Sequence, residues 1–265
     1  MIKQLQQLPS RTRVWLNEIG LADIDPTIHV HDVSYGAPNI TTHTVDRARY
    51  HGSRVTRQRM GNSKVTISFV VHEYDIVRRQ DIMNRIVAWS MGGGVLTTDD
   101  RPNQRLHVVC TSAPSVQSSL KWTARQNIEF SAFDQPFWED IVPKTFTLTG
   151  TQESGRMVGA GAASDPFVEV RVTAGENVTS LDLVAGETTL KLRDISIATG
   201  EALVIDYDET HTLHIVNEDT GVSYLQNRTP DSDDDLMLPV GKAATVSFES
   251  NGTATVIFKV RGLYL

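Results

Sequence analysis

The sequence predicts a mainly β protein with two sheet-based bodies, the first carrying one α-helix and the second forming an antiparallel β-sandwich. Three observations predict this. Apolar and polar residues alternate through much of the 265-residue chain, which is the period of a half-buried strand. A single window recurs instead at helical spacing. The C-terminal part, roughly 100 residues, holds seven short alternating runs separated by turn residues, the pattern of a sandwich.

The elements follow in chain order. KVTISFVV places Val65, Ile67, Phe69 and Val71 on one face and Thr66 and Ser68 on the other. RQNIEFSAF repeats this with Ile128 and Phe130. Between them Ile82, Ile86 and Trp89, with Met83 and Val87 beside them, predict an amphipathic helix over about 77–91. Gly92, Gly93 and Gly94 come just past its end, where a left-handed cap is needed. A phosphate loop needs its glycines before a helix, so the triplet reads as a helix stop. VLTT, the turn DDRPNQ and the returning RLHVVC then form a hairpin. Cys110, the only cysteine, follows Leu106 and Val108 and reads as a small buried residue. Residues 150–166 lack periodicity and predict a linker between a first domain, 1–149, and a second, 167–265. The second half then runs FVEVRV, SLDLV, TTLKL, ALVIDY, TLHIV, ATVSFES and ATVIFKV.

Charge is divided unevenly. Residues 1–150 hold 17 basic and 14 acidic side chains, net +3; residues 151–265 hold 8 and 18, net −10. The acidic half repels nucleic acid. In the first half Arg47, Arg49, Arg54, Arg57, Arg59 and Lys64 cluster, but the small excess and the scarcity of interleaved aromatics favour a subunit-contacting surface over a nucleic-acid groove. No apolar run is long enough to span a bilayer, and MIKQLQQLPS lacks the apolar core of a secretion signal, so no membrane association is expected.

No constellation predicts chemistry. Ser118 and Lys121 match an S-x-x-K pattern without its companion motifs. Gly159-Ala160-Gly161 lacks the strand–turn–helix setting of a dinucleotide fingerprint. The acidic run Asp231 to Asp235 has leucine and lysine where a calcium loop needs glycine and glutamate, so it reads as a solvated loop. His29 and His31 share a strand face without a third ligand, and Asp206 and Asp208 form an acidic pair too common to signify a glycosidase. The expectation is therefore a protein that is not an enzyme, with no cofactor and no metal. Trp15, Trp89, Trp122 and Trp138 all lie in the first half and read as core or interface anchors.

Three stretches together resemble the distal tail protein (Dit) family of siphophage tails. DIMNRIVAW followed by VLTTDDRPNQRLHV is similar to the family's helix and D-x-P hairpin. IEFSAFDQPFWED resembles its aromatic-proline segment at the domain boundary. The succession DPFVEVRV, TGEALVIDY, LMLPVGKAATVSFES and ATVIFKVRGLYL is similar to its C-terminal sandwich. The resemblance implies a ring-forming belt domain of β-sandwich or barrel type, then a galectin-like or carbohydrate-module-like sandwich. It implies a homo-hexameric hub at the virion tail tip, made in the bacterial host cytoplasm. The implied partners are further copies of itself, the tail tube protein, the tail-tip or baseplate hub protein and a receptor-binding protein.

Heterologous ring contacts are expected from Val65, Ile67, Phe69, Val71, Arg54, Arg57 and Arg59. Packing between the domains is expected from Phe133, Pro136, Phe137 and Trp138. The rival reading is a carbohydrate-binding adhesin, for which Phe167, Tyr207 and Tyr224 are the candidate sugar contacts in a half without tryptophan. A third reading, a hydrolase acting on cell-wall polymer, would rest on Asp206 and Asp208.

Overall fold

The computed structural model describes residues 12–46, 53–115, 125–133, 135–161, 163–207 and 212–265. It divides into two compact units, the first running to Trp138 and including Leu265, the second spanning Glu139–Tyr264. The fold is mainly β, with almost all described strand pairing antiparallel within each unit.

The first unit opens with β1 (Val14–Leu16) and β2 (Ile19–Gly20), joined by Asn17 and Glu18. Both turn residues have positive φ, 50° and 68°, as a two-residue hairpin of matching twist requires. A four-residue helix, α1 (Leu21–Ile24), follows. Then come β3 (Ile28–Gly36), β4 (Ile40–Asp46), β5 (Ser53–Met60) and β6 (Ser63–Val71). The main helix is α2 (Ile76–Met91). After it run β7 (Gly94–Thr98), β8 (Gln104–Ser112) and β9 (Gln126–Ala132). Seven of these strands form one sheet in the order β2-β1-β7-β8-β9-β6-β3. The remaining two, β4 and β5, pair only with each other.

α2 begins where Asp75 caps it. The Asp75 carboxylate accepts from the Val77 N–H at 2.8 Å, satisfying a donor that the first turn leaves without a partner. Its inward stripe is Arg79, Ile82, Met83, Ile86 and Ser90. Trp89 is half-buried, donating Nε1–H to the Ile19 carbonyl at 3.0 Å and meeting Phe130 edge-on.

The glycine triplet is a helix stop with an added clamp. Gly92 stays right-handed, whereas Gly93 and Gly94 have φ of 60° and 130°. Asn17 Nδ2 donates to the Gly93 carbonyl at 2.9 Å, and Asn17 Oδ1 accepts from the Val95 N–H at 2.9 Å. A methyl on Gly94 would lie 2.0 Å from Asn17 Oδ1, whereas one on Gly92 would meet nothing within 4 Å. Gly94→Ala is therefore expected to cost about 2–4 kcal/mol through backbone strain and loss of the clamp. Gly92→Ala is expected to stay within about 0.5 kcal/mol of wild type. Urea unfolding of the two variants checks the contrast, and equal costs would refute it.

A short strand, β10 (Trp138–Asp140), spans the division between units. The second unit contains β11 (Lys144–Val158), β12 (Asp165–Ala174), β13 (Val178–Ala185) and β14 (Thr188–Ile197). It continues with β15 (Ala202–Tyr207), β16 (Leu213–Asn217), β17 (Met237–Leu238), β18 (Ala243–Val260) and β19 (Leu263–Tyr264). The organising strand is β18. Its first half pairs with β13 and its second with β12, while β11 follows it along almost its whole length. One strand thus serves two sheet faces, which is how sandwich corners are built. Every second residue of β18 points inward, from Ala244, Val246 and Phe248 to Val256, Phe258 and Val260, into one core shared by the strands of this unit.

Three expectations change. The predicted linker is largely strand: residues 150–158 continue β11, paired with β18 from Gln152 to Val158. That half of β11 is mostly solvated on both faces, so it lacks the alternation that betrays a strand. A second, four-residue helix joins the single one expected; four residues are too few to show helical periodicity. Cys110 is half-buried rather than buried, next to a register shift between β8 and β9.

Candidate assembly interface

Among the described residues, the β4–β5 ribbon is the most exposed structured element. It is inserted between β3 and β6, which pair with each other in the sheet, so the ribbon prolongs that pair outward. Gly61 N–H donates to the Asn39 carbonyl at 2.6 Å where the two pairs meet. Ile40 faces Met60, Thr42 faces Gln58, and Thr44 faces Val55 after a bulge near His43. Thr56, the extra residue of the bulge, donates its hydroxyl to the His43 carbonyl at 3.1 Å.

This register sorts the side chains. One face carries Ile40, Met60 and Val55; the other carries Val45, Arg57 and Arg59. Every described side chain of the ribbon is exposed, with Ile40 and Val45 at 56%, Val55 at 57% and Met60 at 38%. A two-stranded ribbon with no core beneath it is marginal in water. Apolar residues on such a ribbon, beside unpaired strand edges, form a surface suited to burial against another chain.

The predicted interface residues divide. Arg57 and Arg59 are exposed on this ribbon, and Arg54 lies on it, paired through its backbone with Val45. The Arg54 side chain, Arg47 and Arg49 are outside the described residues. Val65, Ile67, Phe69 and Val71 are no more than 3% exposed. They belong to the core of the first unit, and their side chains are not available to a neighbour. The pattern that marks a core-facing strand identified them correctly as a buried face and wrongly as a contact face. The exposed apolar residues of the ribbon that the sequence reading did not single out are Ile40, Val45, Val55 and Met60. For Ile40, Val45 and Val55 the signal was present as β-branched residues in ITTHTV and SRVT, but nothing in a sequence says that such a strand finds no core.

Of the aromatic-proline segment, Trp138 is buried, Pro136 and Phe137 are half-buried and Phe133 is 52% exposed. Within the first unit Trp138 meets Tyr35 edge-on at 5.5 Å, and the Arg101 guanidinium lies 4.8 Å from the Tyr35 ring and 5.0 Å from the Trp138 ring. The Tyr35 hydroxyl donates to the Asp100 carboxylate at 2.8 Å. Burial, reinforced by the neighbouring Asp100 charge, pushes the Tyr35 phenol well above its ordinary range. The turn residues Asp100 and Arg101 are thus anchors for β3 and Trp138.

The candidate sugar contacts do not form a platform. Phe167 is 1% exposed and packs edge-on against Phe258. Tyr224 is 9% exposed and donates its hydroxyl to the Ser196 carbonyl at 2.6 Å. Tyr207 is half-buried; its hydroxyl donates to the Asp234 carbonyl at 3.0 Å and accepts from the Leu236 N–H at 3.3 Å. Burial pushes the Tyr207 phenol up to about 12. A phenol held protonated by folding stabilises the native state fully below its unfolded value near 10, and this contribution is lost as pH rises through about 12. Unfolding free energy is therefore expected to fall between pH 10 and 12, and to fall less steeply in Tyr207→Phe. Urea titrations across that range test this; identical slopes in the two proteins would disprove it.

The remaining motifs are structural. In the acidic run, Asp231 pairs with Lys191 at 2.5 Å, Asp234 with Arg228 at 2.7 Å, and Asp233 accepts from the Thr189 N–H at 2.7 Å. His29 packs against His72 with ring centroids 4.7 Å apart, while His31 is exposed. Among the described residues no group of three metal-binding side chains converges. Asp206 faces His214 across β15 and β16. Asp208, Ser118, Lys121 and Trp122 lie outside the described residues.

Ribbon and units together define a two-part, sheet-built protein whose second part is a sandwich sharing one long strand between two faces. Its particular fold is that of the Dit protein of phage SPP1. That structure superposes with a TM-score of 0.70 over 95% of this chain and 99% of the other, at 13% identity. The SPP1 protein is described as a paradigm of the hub adsorption apparatus in phages infecting Gram-positive bacteria. A chain of the phage P2 baseplate in its activated conformation with Ca also aligns over 95% of this chain and 97% of its own, at 7% identity and a TM-score of 0.43. No family model matches the sequence, and no curated protein does.

Proposed function

We propose that the protein is a structural hub of a phage or phage-like tail tip. In this reading it forms a homo-hexameric ring that joins the tail tube to the baseplate or tail-tip fibre and anchors receptor-binding components. The observation that carries the reading is the end-to-end likeness to the SPP1 Dit fold, which covers both units rather than one. The β4–β5 ribbon supports it, because a ring needs one patch on each copy to meet a different patch on the next. The ribbon supplies the first patch: an apolar face backed by arginines. The role is one of assembly rather than catalysis, and the place of action is the virion tail tip, after synthesis in the bacterial host.

Negative-stain imaging and sedimentation of the purified protein test this. The expected particle is a sixfold ring with a central opening and a mass six times that of the 29.3 kDa chain. A monomer at every protein and salt concentration would overturn the ring.

A further inference from the structure

Asn251 is the one asparagine in the chain that is followed by glycine. The pair is chemically weak. The Gly252 backbone nitrogen can attack the Asn251 side-chain carbonyl carbon, because glycine has no Cβ to obstruct the approach. A nitrogen–carbon bond forms, and the side-chain amide leaves as ammonia, carrying away the displaced backbone proton. The product is a cyclic succinimide. Water then opens the ring at either of its carbonyls, giving aspartate or isoaspartate. Ammonia is lost and water consumed, with no oxidation or reduction.

In the fold both reacting groups are held. Asn251 Oδ1 accepts from the Thr179 and Ser180 N–H groups at 2.8 and 3.0 Å. Asn251 Nδ2 donates to the Thr179 hydroxyl at 2.9 Å. The carboxamide thus ties the start of β13 to the middle of β18. Gly252 is buried, and its carbonyl accepts from the Ser250 hydroxyl at 2.5 Å. A methyl at Gly252 would lie 2.6 Å from the Asn177 carbonyl oxygen, so the backbone is closely packed on that side. On one side of the pair Ser250 is locked to Leu181 of β13, and on the other Ala254 is locked to Ala174 of β12. Ring closure needs rotation of the Asn251 side chain and of the backbone between Asn251 and Gly252. The first breaks the carboxamide's hydrogen bonds and the second disturbs the strand pairing.

We propose that Asn251–Gly252 is a covalent modification site that folding keeps shut and that opening of the second unit exposes to deamidation. The inference is independent of any role in a tail. Reaction in the native protein passes only through opened molecules, so it is slowed by the fraction that is open. The consequence lies in β18. Isoaspartate routes the backbone through the former side chain, lengthening it by a methylene where β18 passes from β13 to β12. The new carboxylate sits directly on Cα, too short to reach the Thr179 and Ser180 amides together. The clamp cannot reform, and a reversible unfolding becomes irreversible.

Mass spectrometry of the tryptic peptide 243–259, in which Asn251 is the single asparagine, tests this. The full chain is kept at mildly alkaline pH, native in one arm and unfolded in guanidinium chloride in the other. Replacement of NH₂ by OH, with isoaspartate scored by enzymatic methylation, is expected to run at least about 100-fold faster in the unfolded arm. The yield of refolded protein on dilution is expected to fall with the same time course. Asn251→Ala has no carboxamide, so its yield is expected not to change with time spent unfolded. Should the alanine variant fail to fold, Asn251→Asp retains acceptors for both N–H groups. It closes the ring only by the slower loss of water, so its yield is expected to decay more slowly than that of wild type. Equal rates in the two arms, no reaction in the unfolded arm, full refolding of the modified chain, or both variants decaying like wild type overturns the proposal.

Discussion

Phe258→Ala is expected to destabilise the protein by about 3–5 kcal/mol, the cost of emptying a phenylalanine site in a packed core. Phe258 is fully buried in β18 at the step where that strand pairs with β12 on one side and β11 on the other. It meets Phe167 edge-on with centroids 5.6 Å apart, so truncation removes an aromatic contact as well as apolar area. The strands on both sides are held by ladder hydrogen bonds, which leaves the site little room to collapse around the void. Lys259, its neighbour in sequence, points outward to a 2.8 Å ion pair with Glu169. Lys259→Ala, by contrast, is expected to cost no more than about 1 kcal/mol, as exposed pairs do. Chemical denaturation of the two variants gives the comparison; a loss below about 1 kcal/mol in Phe258→Ala would mean that the core is not close-packed at its centre.

The double substitution Ile40→Asp with Val55→Asp is expected to leave the fold intact and to weaken self-association more than 100-fold, on the order of 3 kcal/mol. Both side chains are more than half exposed on the β4–β5 ribbon, so carboxylates there remain hydrated in the isolated chain. In an assembly that covers the ribbon, the same two carboxylates would be desolvated without partners. Sedimentation should then show the variant dissociating at concentrations where wild type is assembled, with the same far-ultraviolet spectrum and thermal midpoint. Unchanged assembly would rule the ribbon out as the contact while leaving the likeness of fold untouched.

Where one face of an element is buried, its sequence announced it. The helix over Ile76–Met91 was legible because Ile82, Met83 and Ile86 must share a stripe to reach the core. The hairpin of β7 and β8 was legible because Asp99, Asp100, Pro102 and Asn103 can hardly be anything but a turn. The sandwich strands were legible because β18 alternates along nearly all of its eighteen residues. The second half of β11 was not, since Gly150 to Val158 is mostly solvated on both sides and carries no period. Tyr224 and Phe167 illustrate the converse: an aromatic in a strand looks the same whether it faces a ligand or the interior.

Local composition, then, determined the β character, the one long helix, the glycine stop and the charge contrast between the halves. Each depends only on near neighbours: periodicity, turn chemistry and capping act within a few residues. Tertiary structure alone decided that Val65 to Val71 lie inside while Ile40, Val55 and Met60 lie outside. It alone brought the Thr179 and Ser180 amides to the Asn251 carboxamide. Burial and cross-strand register are set by which segments pair at long range, and pairing partners up to roughly 100 residues apart leave no mark on the residues beside them.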